Sequence, residues 1–308
     1  MELIDFFDYI KKAEIAQLAV TIGDFDGVHL GHQKLFDETI KYASNNPSVK
    51  TAVITFSPHP DIILKNKSDF ELTSLNEKYN LMKKWNFDYL IIIPFTRAFS
   101  GISPEEFINK FLLRINVREV IVGTDFSFGK YGKGRPEQIP LYSNNKINVM
   151  IIDEICCNDK KISSTDIRKY LSRGALEMVR KCLGRNYSFS GEVIRGKQIG
   201  STLNLPTANI KVTDNFIELK HGVYAVKVII DDEQYYGMMN VGHNPSFNYS
   251  NHISIEINIF HFDKNIYGKK LIVECFEYIR SEMKFNSKQE FLEQIKRDQE
   301  TIIKYFGL

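Results

Sequence analysis

No stretch of this 308-residue chain is apolar for long enough to cross a bilayer; runs such as Leu90-Ile91-Ile92-Ile93 fall far short of the roughly 20 residues a spanning helix needs. The first residues are acidic near Met1 and carry no basic leader, so the chain reads as cytoplasmic, without a targeting signal and without a membrane partner. Cysteine is scarce. Cys156, Cys157, Cys182 and Cys275 make neither a CxxC pair nor a zinc-ligand spacing, and the adjacent Cys156 and Cys157 are poorly placed for a structural disulfide, which fits a reducing compartment. A surplus of either charge is missing too. A formal net charge of +2 with 25% charged residues offers no basic face, which argues against nucleic acid as a partner. Neither GxGxxG nor GxxxxGK[ST] occurs, so the common dinucleotide and NTPase fingerprints are excluded.

What is present is a phosphate-binding pattern. An apolar run, Leu18-Ala19-Val20, leads into Ile22-Gly23-Asp24-Phe25-Asp26-Gly27-Val28-His29-Leu30-Gly31-His32. A buried strand feeding a glycine-bearing turn and then a helix presents unpaired amides and the positive end of the helix dipole to an anion. His29 and His32 can donate hydrogen bonds to phosphate oxygens, and Gly31 is expected to let a nucleotide approach the backbone. Gly23, Asp24 and Phe25 of the same turn are expected to belong to the nucleotide site. On four letters alone, a surface turn with two solvated histidines competes with this reading; the flanking Gly-Asp-Phe-Asp-Gly and the apolar strand weigh against it.

Length and a hydrophobic content of 43% allow two domains with real cores. The first half alternates apolar runs (51–56, 89–93, 119–122, 148–152) with helical stretches at 31–44, 74–85 and 103–114, the last opened by Ser-Pro-Glu-Glu. Such alternation predicts a doubly wound parallel sheet with ligands at the carboxyl ends of its strands. Ile162-Ser163-Ser164-Thr165-Asp166-Ile167-Arg168 then sets hydroxyls at a helix start, with Arg168 near the same face. That cluster can clamp polyphosphate, although alone it is equally an ordinary helix cap.

From Gly184-Arg185-Asn186-Tyr187 onward the pattern becomes period two, as in 222–228 and 254–260, with Gly, Asn and Asp turns between. This predicts an antiparallel barrel closed by a helix over 287–306, whose Ser-Lys-Gln-Glu start fits a capping box. The domains are expected at 1–184 and 185–308.

Taken together, Gly23 to His32, Thr55-Phe56-Ser57-Pro58-His59-Pro60, the 122–129 segment and Ile162 to Arg168 resemble the FMN adenylyltransferase module of prokaryotic bifunctional riboflavin kinase/FAD synthetases, itself similar to the HxGH nucleotidyltransferases. The second half resembles the kinase module of that family through Gly191 to Gly200, Leu205-Pro206-Thr207-Ala208-Asn209, Gly222-Val223-Tyr224, Asn240 to Phe247 and Tyr267-Gly268-Lys269. The resemblance spans nearly the whole chain in the expected order. It implies a Rossmann-like HxGH domain followed by a riboflavin kinase barrel, with ATP and magnesium used twice. Riboflavin becomes FMN in the barrel, and FMN becomes FAD plus pyrophosphate in the first domain. The partners are then small molecules, and the chain is a monomer or weak homo-oligomer.

Carried over by position, the resemblance implies that His29 and His32 hold the ATP phosphates. It gives Ser163, Ser164, Thr165 and Arg168 to the phosphate clamp, the last three at the β and γ groups, and Asp125 to the nucleotide or the FMN phosphate. In the kinase module it makes Glu256 the base for the riboflavin 5′-hydroxyl. Thr207 and Asn209 become ATP and magnesium ligands, their neutral oxygens suiting a hard, hydrated cation. Gly191, Gly196 and Gly200 become flap hinges, and Arg280 lies near the flavin. His59 is at most flavin-site lining. Read without the family, Glu256 is a solvated residue of a half-buried strand, since Ser254, Glu256 and Asn258 alternate with isoleucines.

Departures from the family pattern are Asp24 and Asp125, where Asn is common, and Ser201 and Asn204 beside the flap. The two aspartates put extra negative charge near phosphates, the 201–204 segment loses the family's arginine and glycine, and together these leave a flavin-binding regulatory protein, with one or neither activity, as the alternative. A class I aminoacyl-tRNA synthetase relative is disfavoured by the missing Lys-Met-Ser-Lys-Ser segment.

Overall fold

The computed structural model describes all residues except 13–14, 67–70, 196–205, 213–218 and 244–252. Two compact units divide between Ser164 and Thr165.

In the first unit, Leu18–Ile22 (β2) is buried along its whole length, and its side chains alternate between two cores. Leu18, Val20 and Ile22 join one cluster and Ala19 the other. The same division holds in Lys50–Ser57 (β3), with Ala52 and Ile54 on one side and Val53 on the other, and in Tyr89–Pro94 (β4), with Ile91 and Ile93 against Leu90 and Ile92. Strands that are apolar on both faces belong to a parallel sheet covered on both sides. That is the arrangement found: Glu2–Asp5 (β1), β2, β3, β4, Val117–Gly123 (β5) and Asn148–Ile152 (β6) form a parallel sheet in the order β1-β4-β3-β2-β5-β6.

The chain runs from β2 through β3 to β4 on one side, then returns to place β5 and β6 on the other. The crevice of such a sheet opens at the carboxyl ends of the two strands where the order reverses, here β2 and β5. Leu30–Ser44 (α2) follows β2 and buries Leu35 and Phe36 against the second core.

Two sequence expectations are corrected in this unit. The edge strand β1 was not foreseen, because a four-residue strand at the chain start carries no readable period. The helix expected over 103–114 begins with a Ser103–Glu106 capping box but is α-helical only over Pro104–Phe107; it widens into a π-turn over Ile108–Leu112 and tightens into a 3-10 turn over Leu113–Ile115. The change of pitch keeps Phe107, Ile108, Leu112 and Ile115 all buried, which a uniform 3.6-residue repeat would not do as well.

After β6 the short strands Cys156–Cys157 (β7) and Lys160–Lys161 (β8) pair antiparallel. In the second unit Tyr187–Ile194 (β9), Ala208–Val212 (β10), Gly222–Ile230 (β11), Glu233–His243 (β12), Ile253–Ile259 (β13) and Lys270–Arg280 (β14) form a closed antiparallel barrel in the order β10-β13-β12-β11-β14-β9. The C-terminal helix Lys288–Phe306 lies on the outer surface, where Ile302 packs with Val223, Ala225 and Met238. Ser287 caps it by accepting from the Glu290 amide at 3.1 Å, but the Glu290 carboxylate accepts from Asn286, one residue earlier than a reciprocal box requires. Arg280 at the end of β14 grips the buried Asp298 of that helix through Nε and Nη2 at 2.7–3.0 Å.

Helices Ser164–Arg173 and Leu176–Leu183 precede the barrel. From Thr165 on they fall within the second unit. The reason is packing: Val179, Cys182 and Leu183 are buried, and Gly174 lies so close to the Tyr278 ring that an added Cβ would stand 2.9 Å from it.

Candidate active sites

The first site is built on the turn between β2 and α2. Gly23 closes β2 by donating to the Ile54 carbonyl at 3.1 Å. Phe25, Gly27 and Val28 then adopt positive φ angles of 51°, 83° and 44°. For a β-branched valine this is a strained conformation, costing of order 1–3 kcal/mol, and it persists only where neighbours enforce it. The neighbours here are specific. Thr73 Oγ1 accepts from Gly27 N at 2.9 Å, and Asp26 Oδ1 accepts from the amides of Leu72 and Thr73 at 2.8 and 3.1 Å. Ser164 Oγ donates to the Asp26 carbonyl at 2.8 Å, and Thr55 Oγ1 donates to that of Asp24 at 3.2 Å.

His29 is the N-cap of α2, and its Nδ1 accepts from His32 N at 3.3 Å. The neutral ring therefore carries its proton on Nε2, a donor for an anion. Burial pushes the His29 pKa down to about 4, so the imidazole is uncharged at neutral pH. It stacks on His32 at 3.5 Å between centroids, and His32 meets Phe25 edge to face. Gly31 leaves room for this stack: a Cβ there would stand 3.2 Å from His29 Nδ1 and Cε1, so the ring would have to give way. Its absent side chain makes room for His29, a reason in addition to the expected approach of nucleotide to backbone.

Asp24 has one oxygen, Oδ1, buried without a hydrogen-bond partner among the described residues, while Oδ2 lies 3.8 Å from His59 Nε2. Desolvation raises its pKa to about 6, against the attraction of Lys78. His59 is nearly buried and caps the helix Pro60–Lys65, its Nδ1 accepting from Asp61 N at 3.1 Å. Asp125 follows the end of β5, and its exposed carboxylate is paired with Lys161 at 2.9 Å; the same ammonium reaches Glu154 at 2.5 Å. The fields of Asp125 and Lys161 both act on His29. Ser163 directly precedes the helix that begins at Ser164, and Thr165 and Arg168 lie on that helix within the second unit.

Asp26, Thr73 and Lys161 were missed at the sequence level. Asp26 stands inside the motif, but its partners Leu72 and Thr73 lie 46 and 47 residues away. Nothing in the pattern around Lys161 marks it.

The second site lies on the outer face of the barrel. Ile255 and Ile257 are buried, and Glu256 between them is half-buried. Glu256 is directly opposite Asn209 on β10 and Asn240 on β12. Thr207 is half-buried just before β10. Asn209 thus lies on the same face of neighbouring strands as the expected base, and Thr207 stands two residues before Asn209. Gly196 and Gly200, with Ser201 and Asn204, lie outside the described residues. Gly191 is placed inside β9, opposite Val212 and Leu271, where an added Cβ would fall 2.3 Å from Ile210 Cγ2. Close strand packing is a reason for glycine there in addition to the hinge that the resemblance implies. Arg280 has its guanidinium bonded to Asp298 and to the Ser281 carbonyl, so it anchors the helix, a role beside the position near the flavin that the resemblance implies.

The family model for FAD synthetase matches residues 11–166, and that for riboflavin kinase matches residues 183–306. A bifunctional riboflavin kinase/FMN adenylyltransferase of Bacillus subtilis is 37% identical over 97% of this chain and 96% of its own length. One from Buchnera aphidicola (Schizaphis graminum) is 40% identical, with both chains covered completely. A solved structure from Streptococcus pneumoniae, named a macrolide-efflux protein, superimposes with a TM-score of 0.89 at 29% identity, over 97% of this chain and 98% of that one. Among the described residues no helix is long and apolar enough to cross a membrane.

Proposed function

The chain belongs to the bifunctional riboflavin kinase/FMN adenylyltransferase family, and from that premise we propose that it performs both reactions on one polypeptide. Riboflavin and ATP give FMN and ADP in the barrel; FMN and ATP give FAD and pyrophosphate in the parallel-sheet unit. The observation that carries this reading is the tandem of two family modules, each with its own set of chemically suited side chains.

In the first module His29 offers a neutral Nε2–H at the positive end of α2, and His32 is held against it. Such donors, fixed before the substrate arrives, stabilise charge that develops as the α-phosphorus is attacked. Ser164 ties the helix start to the turn through Asp26. The phosphate-clamping roles of Ser163, Thr165 and Arg168 rest on the motif itself. Lys161 neutralises part of the charge that Asp125 would otherwise present to phosphate.

In the second module Glu256 takes the proton from the riboflavin 5′-hydroxyl. Thr207 and Asn209 offer neutral oxygens that would fit a magnesium ion held mainly by nucleotide phosphates and water. When bound, magnesium supplies neutralisation of phosphate charge. A cytoplasmic location and a monomeric or weakly associated state belong to the same reading, and all four cysteines are free thiols.

The test is chromatography of the flavins formed from riboflavin, ATP and magnesium, repeated from FMN. FMN followed by FAD is expected. Formation of FMN alone would remove the adenylyltransferase assignment, and failure with both flavins would remove the whole reading.

A further inference from the structure

Asn258 lies two residues along β13 from Glu256, on the same face of the strand, yet it is only 7% exposed. Its Nδ2 donates to the Pro206 carbonyl at 2.9 Å, and its Oδ1 accepts from Gln299 Nε2, on the C-terminal helix, at 3.0 Å. The polarity of this relay is forced. A carbonyl can only accept, so the Asn258 amide must turn its nitrogen to Pro206 and its oxygen to Gln299, whose amide nitrogen completes the chain. The pinned carbonyl belongs to the planar peptide joining Pro206 to Thr207, so fixing it also fixes the orientation from which Thr207 departs. Continuing the β10–β13 register by one step beyond the pair Ala208–Ile257 sets Thr207 opposite Asn258.

We propose that Asn258, oriented by Gln299, is a positioning residue for riboflavin phosphorylation, holding the Pro206–Thr207 peptide so that Thr207 and Asn209 meet the nucleotide. The proposal rests on the kinase reading above, and it ties the C-terminal helix to the nucleotide side of the barrel. Neither residue touches the reacting atoms; both act through Thr207. A carboxylate in place of either amide reverses the relay. Asp at 258 sets an oxygen against the Pro206 oxygen, and Glu at 299 faces Asn258 Oδ1 and is relieved only by a flip that does the same.

The experiment uses the full chain with Asn258→Asp, Gln299→Glu and Gln299→Leu. The first two are expected to raise the KM for ATP in riboflavin phosphorylation about tenfold, the worth of one well-placed hydrogen bond. The KM for riboflavin and the rate of FMN adenylylation should hold. Gln299→Leu, which keeps the Pro206 bond, should raise it less. Hydrogen exchange at the amides of residues 207–209 should quicken in Asn258→Asp and Gln299→Glu, a readout independent of turnover. A KM for ATP within twofold of wild type, a parallel rise for riboflavin, or unchanged exchange overturns the proposal. If the wild-type chain forms no FMN, the kinase reading fails, and the exchange comparison still decides whether Asn258 fixes this peptide. Should Asn258→Asp fail to fold, Gln299→Glu decides alone.

Discussion

His29 and His32 stack face to face, 3.5 Å apart and 19° from parallel, while His29 Nδ1 accepts the backbone hydrogen of His32. Two charged imidazoles would repel at this distance, so the stack depends on His29 staying neutral. Replacing His29 with Ala should abolish FAD formation from FMN while FMN formation from riboflavin continues, measured by flavin chromatography. Full FAD formation by that variant would remove His29 from the site.

Acid stability follows from His29 and Asp24 with opposite signs. An unfolded imidazole titrates near 6.5 and His29 at about 4, so the folded state binds fewer protons in this window. Stability therefore falls as pH drops from 6.5 through 4, by up to about 3 kcal/mol. Asp24 is shifted from 3.8 to about 6, so its contribution falls as pH rises through the same range. With its side chain 38% exposed, solvent screening limits that term to about 1 kcal/mol. Asp24→Asn should be about 1 kcal/mol more stable than wild type at pH 7.5 and lose more on acidification to pH 4.5. Denaturant titrations at both pH values check this; superimposable profiles would refute it.

Thr73 Oγ1 satisfies the buried amide of Gly27 inside the strained turn. Thr73→Val keeps the shape and removes the acceptor, which should cost about 1–3 kcal/mol. FAD formation should fall with it, since Val28 and His29 follow directly. Thermal unfolding together with FAD yield reports both effects, and a variant equal to wild type in both would deny the turn its clamp.

Glu256→Gln retains size and loses basicity. Riboflavin phosphorylation should drop roughly 10²- to 10⁴-fold, the usual worth of a general base, with FMN adenylylation unchanged. Steady-state rates from each flavin separate the two. Equal losses would mean that the modules do not divide the work.

The Arg280–Asp298 pair joins β14 to the C-terminal helix, with Asp298 almost wholly buried and also accepting from Gln294. Asp298→Ala leaves a guanidinium without its counter-charge and should destabilise the barrel unit by about 3–5 kcal/mol. Urea unfolding of the full chain would show this as an earlier transition, with adenylylation persisting beyond it.

The sequence by itself determined the two architectures and carried the motifs of the family. Apolar runs without alternation demand a sheet covered on both faces, period-two strands demand a one-sided barrel wall, and Gly-Asp-Phe-Asp-Gly-Val-His-Leu-Gly-His sets its chemistry within consecutive residues. Local pattern carries such information because it acts through neighbouring backbone. Only the tertiary structure decided that Asp26 binds the amides of Leu72 and Thr73, that Lys161 answers Asp125, that Arg280 serves Asp298, and that Gly191 is a packing glycine. Each of these joins residues brought together by folding. Their energies come from burial and from direct contact across the fold, and neither quantity is written in the order of neighbouring residues.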